Sequence, residues 1–358
     1  MNHIQGPGLF LAQFLGEEPP FHTIDAITGW ASALGFTGVQ VPTWDERAID
    51  LDAAASSQAY CDEYTGRLAD QGVTVIELAA YLQGQVMAMH PAYTRLFKSF
   101  YPEGLNDADR LKWAKEQLRK TIRASAHLGT RHISVLSGGL AWPYVYPWPQ
   151  RSDGLIDEAF RELARRWRPL LDRAHDHGIT FGFELHPGSD LYDGATYLRF
   201  LDAVDDHPAA CLTYDPSHFL LQQLDYIGFI DRFADRIKAF HVKDAEFRPD
   251  ELTGVYGGYQ NWGQRAGRFR SLGDGQVDFK RVFSRLTALG YRGWAILEWE
   301  CYLKSPEQGA REGAPFIRRH IIETTDRAFD DFAQSETNRE LNRDVLGLSE
   351  QDDPQVTS

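Results

Sequence analysis

Residues 157–185, DEAFRELARRWRPLLDRAHDHGITFGFEL, hold the pattern that decides the fold. From Asp157 to His177 the apolar residues Phe160, Leu163, Ala164, Trp167, Leu170, Leu171 and Ala174 recur at intervals of three and four, which lays one apolar stripe along a helix. Gly178 follows, a residue that adopts the left-handed conformation closing a helix at no steric cost. Thr180–Leu185 is then a short β-rich run, so the stretch reads as one helix feeding one strand. The same unit recurs in both directions along the chain. Candidate strands are Leu9–Phe14, Gly38–Val41, Thr74–Ala79, His132–Leu136, Thr180–Leu185, Cys211–Tyr214, Ile237–Val242 and Trp294–Leu297, with helical spacing between them as in Asp107–Leu128. Gly35, Gly72, Gly129 and Gly290 also stand just before a candidate strand. Regular alternation of strand and helix implies a parallel sheet. Eight such units, with no Gly-x-Gly-x-x-Gly after the first strand, fit a closed α/β (β/α)8 TIM barrel with long βα-loop insertions better than a doubly wound dinucleotide-binding sheet.

The expected barrel occupies residues 1–334, and 335–358 is polar and acidic, read as a helix followed by a frayed tail. Long loops are expected at Tyr81–Asn106, Ser137–Gly154, Lys243–Val277 and Trp299–Pro315, where barrels place lids and binding walls. The 358 residues carry a net charge of −14, which argues against a nucleic-acid partner. No apolar run approaches the length of a membrane span, and the stretch Leu9–Leu15 is interrupted by Gln13 and lacks a basic flank. Cys61, Cys211 and Cys301 are too few and scattered for a disulfide framework or a structural zinc cluster. A leaderless cytoplasmic protein without membrane contact is expected.

Barrel chemistry sits where strands end and the following loops begin. There the sequence places Glu184 after the fifth run, Asp215 and His218 after the sixth, His241 in the seventh and Glu298 after the eighth. Any one of these carboxylates alone reads equally as a helix cap or an ion-pair partner. Four consecutive strands each delivering a ligand-type side chain to one rim read as a metal centre of Glu184, Asp215, His241 and Glu298. Three carboxylates and an imidazole suit one divalent ion, Mn²⁺ first, with Mg²⁺, Co²⁺ or Zn²⁺ as alternatives. His218, three residues after Asp215, points into the same pocket on a tight turn or else caps a helix.

The residues Glu184, Asp215-x-x-His218, His241-Val-Lys-Asp244 and Glu298 make the chain resemble the xylose isomerase-like TIM-barrel superfamily of sugar isomerases and epimerases, over roughly residues 9–332. The run Arg265–Asp278 is similar to a branch of that superfamily acting on keto-sugars. The resemblance implies that Glu184, Asp215, His241 and Glu298 hold the metal and that His218 stands at the substrate. The superfamily's DNA-repair endonuclease branch needs further histidines on early strands; here the second and third strands end near Gln40 and Glu77.

The implied chemistry is removal of a proton next to a sugar carbonyl, with Glu184 and Glu298 as the acid/base pair, through an enediolate. Epimerisation or isomerisation is the first reading. β-Elimination or hydration of a 3-keto sugar is the alternative on the same scaffold, and a non-catalytic sugar-binding protein is the third. His186, Lys243, Asp244, Trp142, Glu300 and Arg268 are candidate substrate contacts, each with a structural alternative: a backbone bond, a surface ion pair or an oligomer face. Arg265 and Arg270 read as anion ligands or as a solvated loop, Gly138-Gly139 as a phosphate cradle or a turn. Met87, Met89 and His90 close over the site or pack as a helical insertion. The exposed-type aromatics Tyr144, Tyr146, Trp148, Tyr256, Tyr259 and Trp262 stack on sugar or form a dimer or tetramer contact.

Overall fold

A computed structural model describes residues 3–257, 259–325 and 338–348. Among the described residues ten strands run in chain order: β1 Gln5–Phe10, β2 Gly38–Pro42, β3 Thr74–Ala79, β4 His132–Val135, β5 Thr180–Glu184, β6 Ala210–Tyr214, β7 Ile237–Val242, β8 Asp244–Phe247, β9 Gly267–Arg270 and β10 Trp294–Leu297. Eight of them close a parallel barrel in the order β1-β10-β7-β6-β5-β4-β3-β2, while β8 and β9 pair antiparallel as a separate hairpin. The register sets Phe183 beside Leu212 and Leu9 beside Leu297, so neighbouring strands end at one rim. The five glycines marked as helix closers all have positive φ, Gly178 at 68° among them.

The stretch that sets the repeat folds as the helix Leu155–Asp176 followed by β5. Its stripe is buried; Trp167 stands edge-on to Phe181 and Phe183 at 5.4 and 4.8 Å and donates from Nε1 to Ser137 O at 3.0 Å. Burying an aromatic this way stabilises by about 2–3 kcal/mol.

Several expected boundaries move. β1 begins at Gln5 and ends at Phe10, and Leu11–Gln13 turns as a 3-10 helix, in place of the expected strand Leu9–Phe14. Gly6, Pro7 and Gly8 lie inside β1, and at Gly8 the barrel wall is tight: a Cβ there would lie 2.5 Å from Ile76 Cδ1. The expected loop at Trp299–Pro315 is shorter, since the helix Pro306–His320 starts within it and carries Pro315 internally. Lys243–Val277 contains the β8–β9 hairpin, and Tyr81–Asn106 opens with the helix Tyr81–Val86.

The barrel interior is unusually polar. Gln40, Glu77, His132, Ser134, Thr213 and His241 are all buried. Gly182 makes room for them, because a Cβ there would lie 2.1 Å from His132 Nε2 and 2.4 Å from Thr213 Oγ1. The described residues divide into two compact units, with the boundary between Ile322 and Glu323. The barrel belongs to the first; the helix Arg339–Val345 belongs to the second. The boundary expected at 334/335, and the tail from 349 on, lie outside the described residues. Among the described residues no helix is long and apolar enough to cross a membrane.

Candidate active site

Glu184 closes β5, Asp215 follows β6, His241 lies near the end of β7 and Glu298 follows β10. One ligand atom from each lies within 4.8 Å of those of the other three, and all four residues are buried. Asp215 also caps the short helix Pro216–Leu221 by accepting from Ser217 N, so the capping and converging readings are both true of it.

His241 presents Nδ1 to the cluster, 2.8 Å from Glu298 Oε2 and 3.4 Å from Glu184 Oε1. Glu184 Oε1 and Asp215 Oδ2 are buried and make no hydrogen bond. Buried carboxylate oxygens without donors carry a desolvation penalty that a cation removes, so the donor set fits a divalent metal.

The cluster's own cations set its electrostatics. Lys243 Nζ lies 3.1 Å from Glu300 Oε1, 3.5 Å from Glu298 Oε2 and 3.6 Å from Asp215 Oδ2, above the Phe269 ring at 4.5 Å. Burial alone would lower its pKa, but Glu298, Glu300 and Asp215 raise it well above normal. Burial likewise works against Glu298's charge, yet Lys243 and His241 hold its carboxyl below the usual range. Burial pushes the Asp215 carboxyl well above its usual range, with Glu184 and Glu298 adding to that shift and Lys243 opposing it. For His241 the burial effect is outweighed by Glu298 and Glu184, so its pKa rises well above the ordinary imidazole value. His218, with Nε2 3.3 Å from Asp215 Oδ2 and its ring 4.2 Å from that of His186, is kept neutral by burial and by the Lys243 charge.

Three expected substrate residues are engaged elsewhere. Both oxygens of Asp244 are taken by backbone N–H groups of Ala245, Gly273, Gly275 and Val277, which clamps the end of the hairpin insertion to its start; burial still raises its carboxyl to about 6. Arg268 pairs with buried Glu246 at 2.9 Å, beside Arg270 at 2.8 Å, and lies over Tyr302. Trp142 stands edge-on to Tyr192 and lines a cavity of about 300 Å³ whose walls include none of the four clustered residues. The Gly138-Gly139 amides cradle no anion, and the three amides that follow them hold one of the protein's own. Asp190 accepts from the backbone N–H groups of Leu140, Ala141 and Trp142, each at 2.8 Å. Asp190→Ala is expected to destabilise by about 3 kcal/mol, because those amides lose a charged acceptor; a loss under about 1 kcal/mol in urea unfolding would show that they find other partners.

Met87 is fully buried and Met89 bridges to Gly139, so these residues pack rather than hang over the rim, while His90 bonds the Tyr144 hydroxyl. Tyr146 meets Tyr256 edge-on at 5.7 Å, joining the two aromatic loops. Sequence reasoning missed four residues at the centre. Gln13, noticed only as a polar interruption, donates to Glu298 at 3.2 Å. Phe10 stacks on the His241 ring and Tyr81 meets it edge-on, with the Tyr81 hydroxyl buried and without a hydrogen-bond partner. Gln40 accepts from His241 Nε2 at 3.1 Å. A polar residue aimed into a barrel from an early strand was the available signal for Gln40.

Comparison with known proteins agrees with the fold. An inosose dehydratase of Lacticaseibacillus casei is 30% identical over 150 residues, which is 40% of this chain and 48% of that protein. The chain thus spans about half the length of that curated relative. An inosose dehydratase of Geobacillus kaustophilus is 24% identical over 251 residues, 67% of this chain and 80% of the relative. The crystal structure of 3-keto-D-glucoside 4-epimerase from E. coli superposes with a TM-score of 0.60 at 16% identity, covering 87% of this chain and 98% of that one, which bears on the fold alone. The family model described as Xylose isomerase-like TIM barrel matches residues 29–320. With a closed eight-stranded barrel and an acid-rich centre at its rim, the chain belongs to the Xylose isomerase-like TIM barrel family.

Proposed function

We propose that the protein is a divalent-metal-dependent enzyme that removes the proton next to the carbonyl of a keto-sugar and returns it to give an epimer or isomer. The convergence of Glu184, Asp215, His241 and Glu298 within 4.8 Å carries this reading. These four residues would hold the ion, Mn²⁺ in the first instance. When bound, the ion polarises the carbonyl and offsets the charge of the three carboxylates.

The chain's own groups do the rest. Glu184 and Glu298 come from β5 and β10, three places apart around the barrel, so they approach a bound carbon from different sides. One takes the proton and the other supplies it, which inverts the centre; return by the same group to the neighbouring carbon isomerises. Lys243, anchored to Glu300 at the more open side, and neutral His218, backed by His186, orient sugar hydroxyls. A cytoplasmic homo-oligomer is part of the same reading.

A second reading has one specific support, the sequence likeness to inosose dehydratases. After the same proton abstraction, loss of a β-substituent from the keto-sugar gives an enone. The test is incubation in D2O with Mn²⁺ and a panel of ketoses and 3-keto glycosides, followed by NMR. Deuterium next to the carbonyl with a new epimer supports the first reading, and loss of water or aglycone moves the assignment to a lyase. No exchange on any substrate would reject both.

A further inference from the structure

The polar interior of the barrel forms one continuous hydrogen-bonded thread that ends on the metal cluster. At its lower end Thr180 Oγ1 bonds His132 Nδ1 at 2.8 Å, and His132 Nε2 lies 3.4 Å from Thr213 Oγ1. Thr213 Oγ1 meets Ser134 Oγ at 2.6 Å, and Ser134 donates to Glu77 Oε1 at 2.5 Å. Gln40 Nε2 donates to the same Glu77 oxygen at 2.5 Å, and Gln40 Oε1 lies 3.1 Å from His241 Nε2. The cost of burying so many polar groups in a core that is normally branched and apolar calls for a compensating role.

Donor and acceptor logic fixes the direction of the upper half. Burial raises the Glu77 carboxyl above its usual range, and the Ser134 hydroxyl and Gln40 amide, both donating to Oε1 at 2.5 Å, work to hold it as the carboxylate, which only accepts. Gln40 is thereby turned with its carbonyl oxygen toward His241. A carbonyl oxygen also only accepts, so Nε2 of His241 carries a hydrogen in either charge state, and the proton that leaves when the ring becomes neutral is the one on Nδ1, whose lone pair then faces Glu184, Asp215 and Glu298. Phe10 and Tyr81 against the ring restrict its rotation.

We propose that Gln40 and Glu77 are positioning residues for the metal centre: Glu77 sets the orientation of Gln40, and Gln40 holds His241 in the Nε2–H form with Nδ1 directed at the ion. This rests on the metal-dependent reading of the site. Neither residue touches substrate; both act through His241, as partners of metal-ligating histidines do.

The experiment combines Mn²⁺ titration calorimetry with ¹⁵N NMR of the His241 ring in the full chain, Mg²⁺-loaded and, in alkaline buffer where the imidazole is neutral, ion-free. Gln40→Leu removes the acceptor with little change in volume, and Mn²⁺ affinity is expected to fall roughly 10- to 100-fold. The ring nitrogen shifts of His241 are expected to move from the pure Nε2–H pattern to a mixture of tautomers, which a merely structural role would not produce. The exchanged pair Gln40→Glu with Glu77→Gln rebuilds the thread with the charge moved one place, since the carboxylate introduced on β2 accepts from both neighbours. It is expected to restore the Nε2–H pattern and to bring affinity within about tenfold of the starting protein, an order-of-magnitude figure for a change beyond the ligands themselves.

Unchanged affinity and an unchanged tautomer in Gln40→Leu overturn the proposal. If Gln40→Leu does not fold, the exchanged pair decides, and failure to show the Nε2–H pattern there counts equally against it. If the unaltered protein takes up neither Mn²⁺ nor Mg²⁺, the metal reading fails by itself. The ring shifts, read in alkaline buffer where the imidazole is neutral, still report whether Gln40 sets the tautomer.

Discussion

Glu298→Gln is expected to lower kcat on the keto-sugar substrate by roughly a thousandfold, within the range that loss of a positioned acid or base produces. Glu184→Gln is expected to do the same. For Glu298 the reason lies in its three neighbours. Its carboxylate accepts from Gln13 Nε2 at 3.2 Å on one oxygen and faces His241 Nδ1 at 2.8 Å and Lys243 Nζ at 3.5 Å with the other. A glutamine can satisfy only one side, because its amide nitrogen must face a donor on the other, and it can neither take nor return a carbon-bound proton. The local mismatch adds about 1–3 kcal/mol of destabilisation, too little to unfold a barrel of this size. The measurement is steady-state turnover beside a thermal melt. Either variant keeping more than roughly a tenth of the activity while remaining folded would remove that carboxylate from the acid/base pair.

The four clustered residues were legible because their spacing coincides with the barrel's own period. Glu184, Asp215, His241 and Glu298 each stand at or near the end of a strand that composition and a preceding helix already mark, so finding the strands also found the rim. What failed to be legible are contacts between residues with no sequence relation. Asp244 follows His241-Val-Lys and looks like a rim residue, yet its side chain turns toward Gly273, Gly275 and Val277, and four backbone hydrogens claim it. Arg268 reads as a substrate contact or as part of an ion-paired loop, and the partner that makes it the latter, Glu246, stands on the facing strand of the hairpin, some twenty residues away in sequence. Gly138-Gly139 reads as an anion cradle, and it lies in a loop that binds an anion, but the anion is Asp190.

Strand ends shifted for a related reason. Propensity sees glycine and proline in Gln5–Phe10 as breakers, whereas the closed barrel needs a residue without a side chain where Gly8 passes Ile76 and Ile296. Tertiary crowding chose the residue there, and local preference gave way. The polar thread through the barrel escaped notice because Gln40, Glu77, His132, Ser134 and Thr213 come from four strands, and each alone is an ordinary buried polar residue.

Uptake of the divalent ion is expected to release roughly one to two protons near neutral pH and to raise stability by about 4 kcal/mol at a thousand times the dissociation constant. The proton count follows from the ion-free site. His241 has its pKa raised well above normal by Glu298 and Glu184 despite burial, and Asp215 is pushed up by burial together with the same two carboxylates. Both must deprotonate to become ligands, so apparent affinity rises with pH, by about tenfold per unit for each proton displaced. Calorimetry in two buffers of different ionisation enthalpy gives the count, and zero protons released would show that His241 and Asp215 are not the ligands.

Lys243 is the counterweight in that balance. Its ammonium is buried between Asp215, Glu298 and Glu300, where it offsets part of the negative charge before any ion arrives. Lys243→Met leaves those carboxylates without it, and the ion-free protein is expected to lose about 3–5 kcal/mol. The same change removes a like charge from beside the ion, so the variant is expected to bind Mn²⁺ more tightly and to recover much of its stability when loaded. Melting curves with and without Mn²⁺ separate these effects. A variant equally stable without the ion would mean that Asp215 and Glu298 share a proton instead of leaning on Lys243, and tighter binding would then have no electrostatic origin.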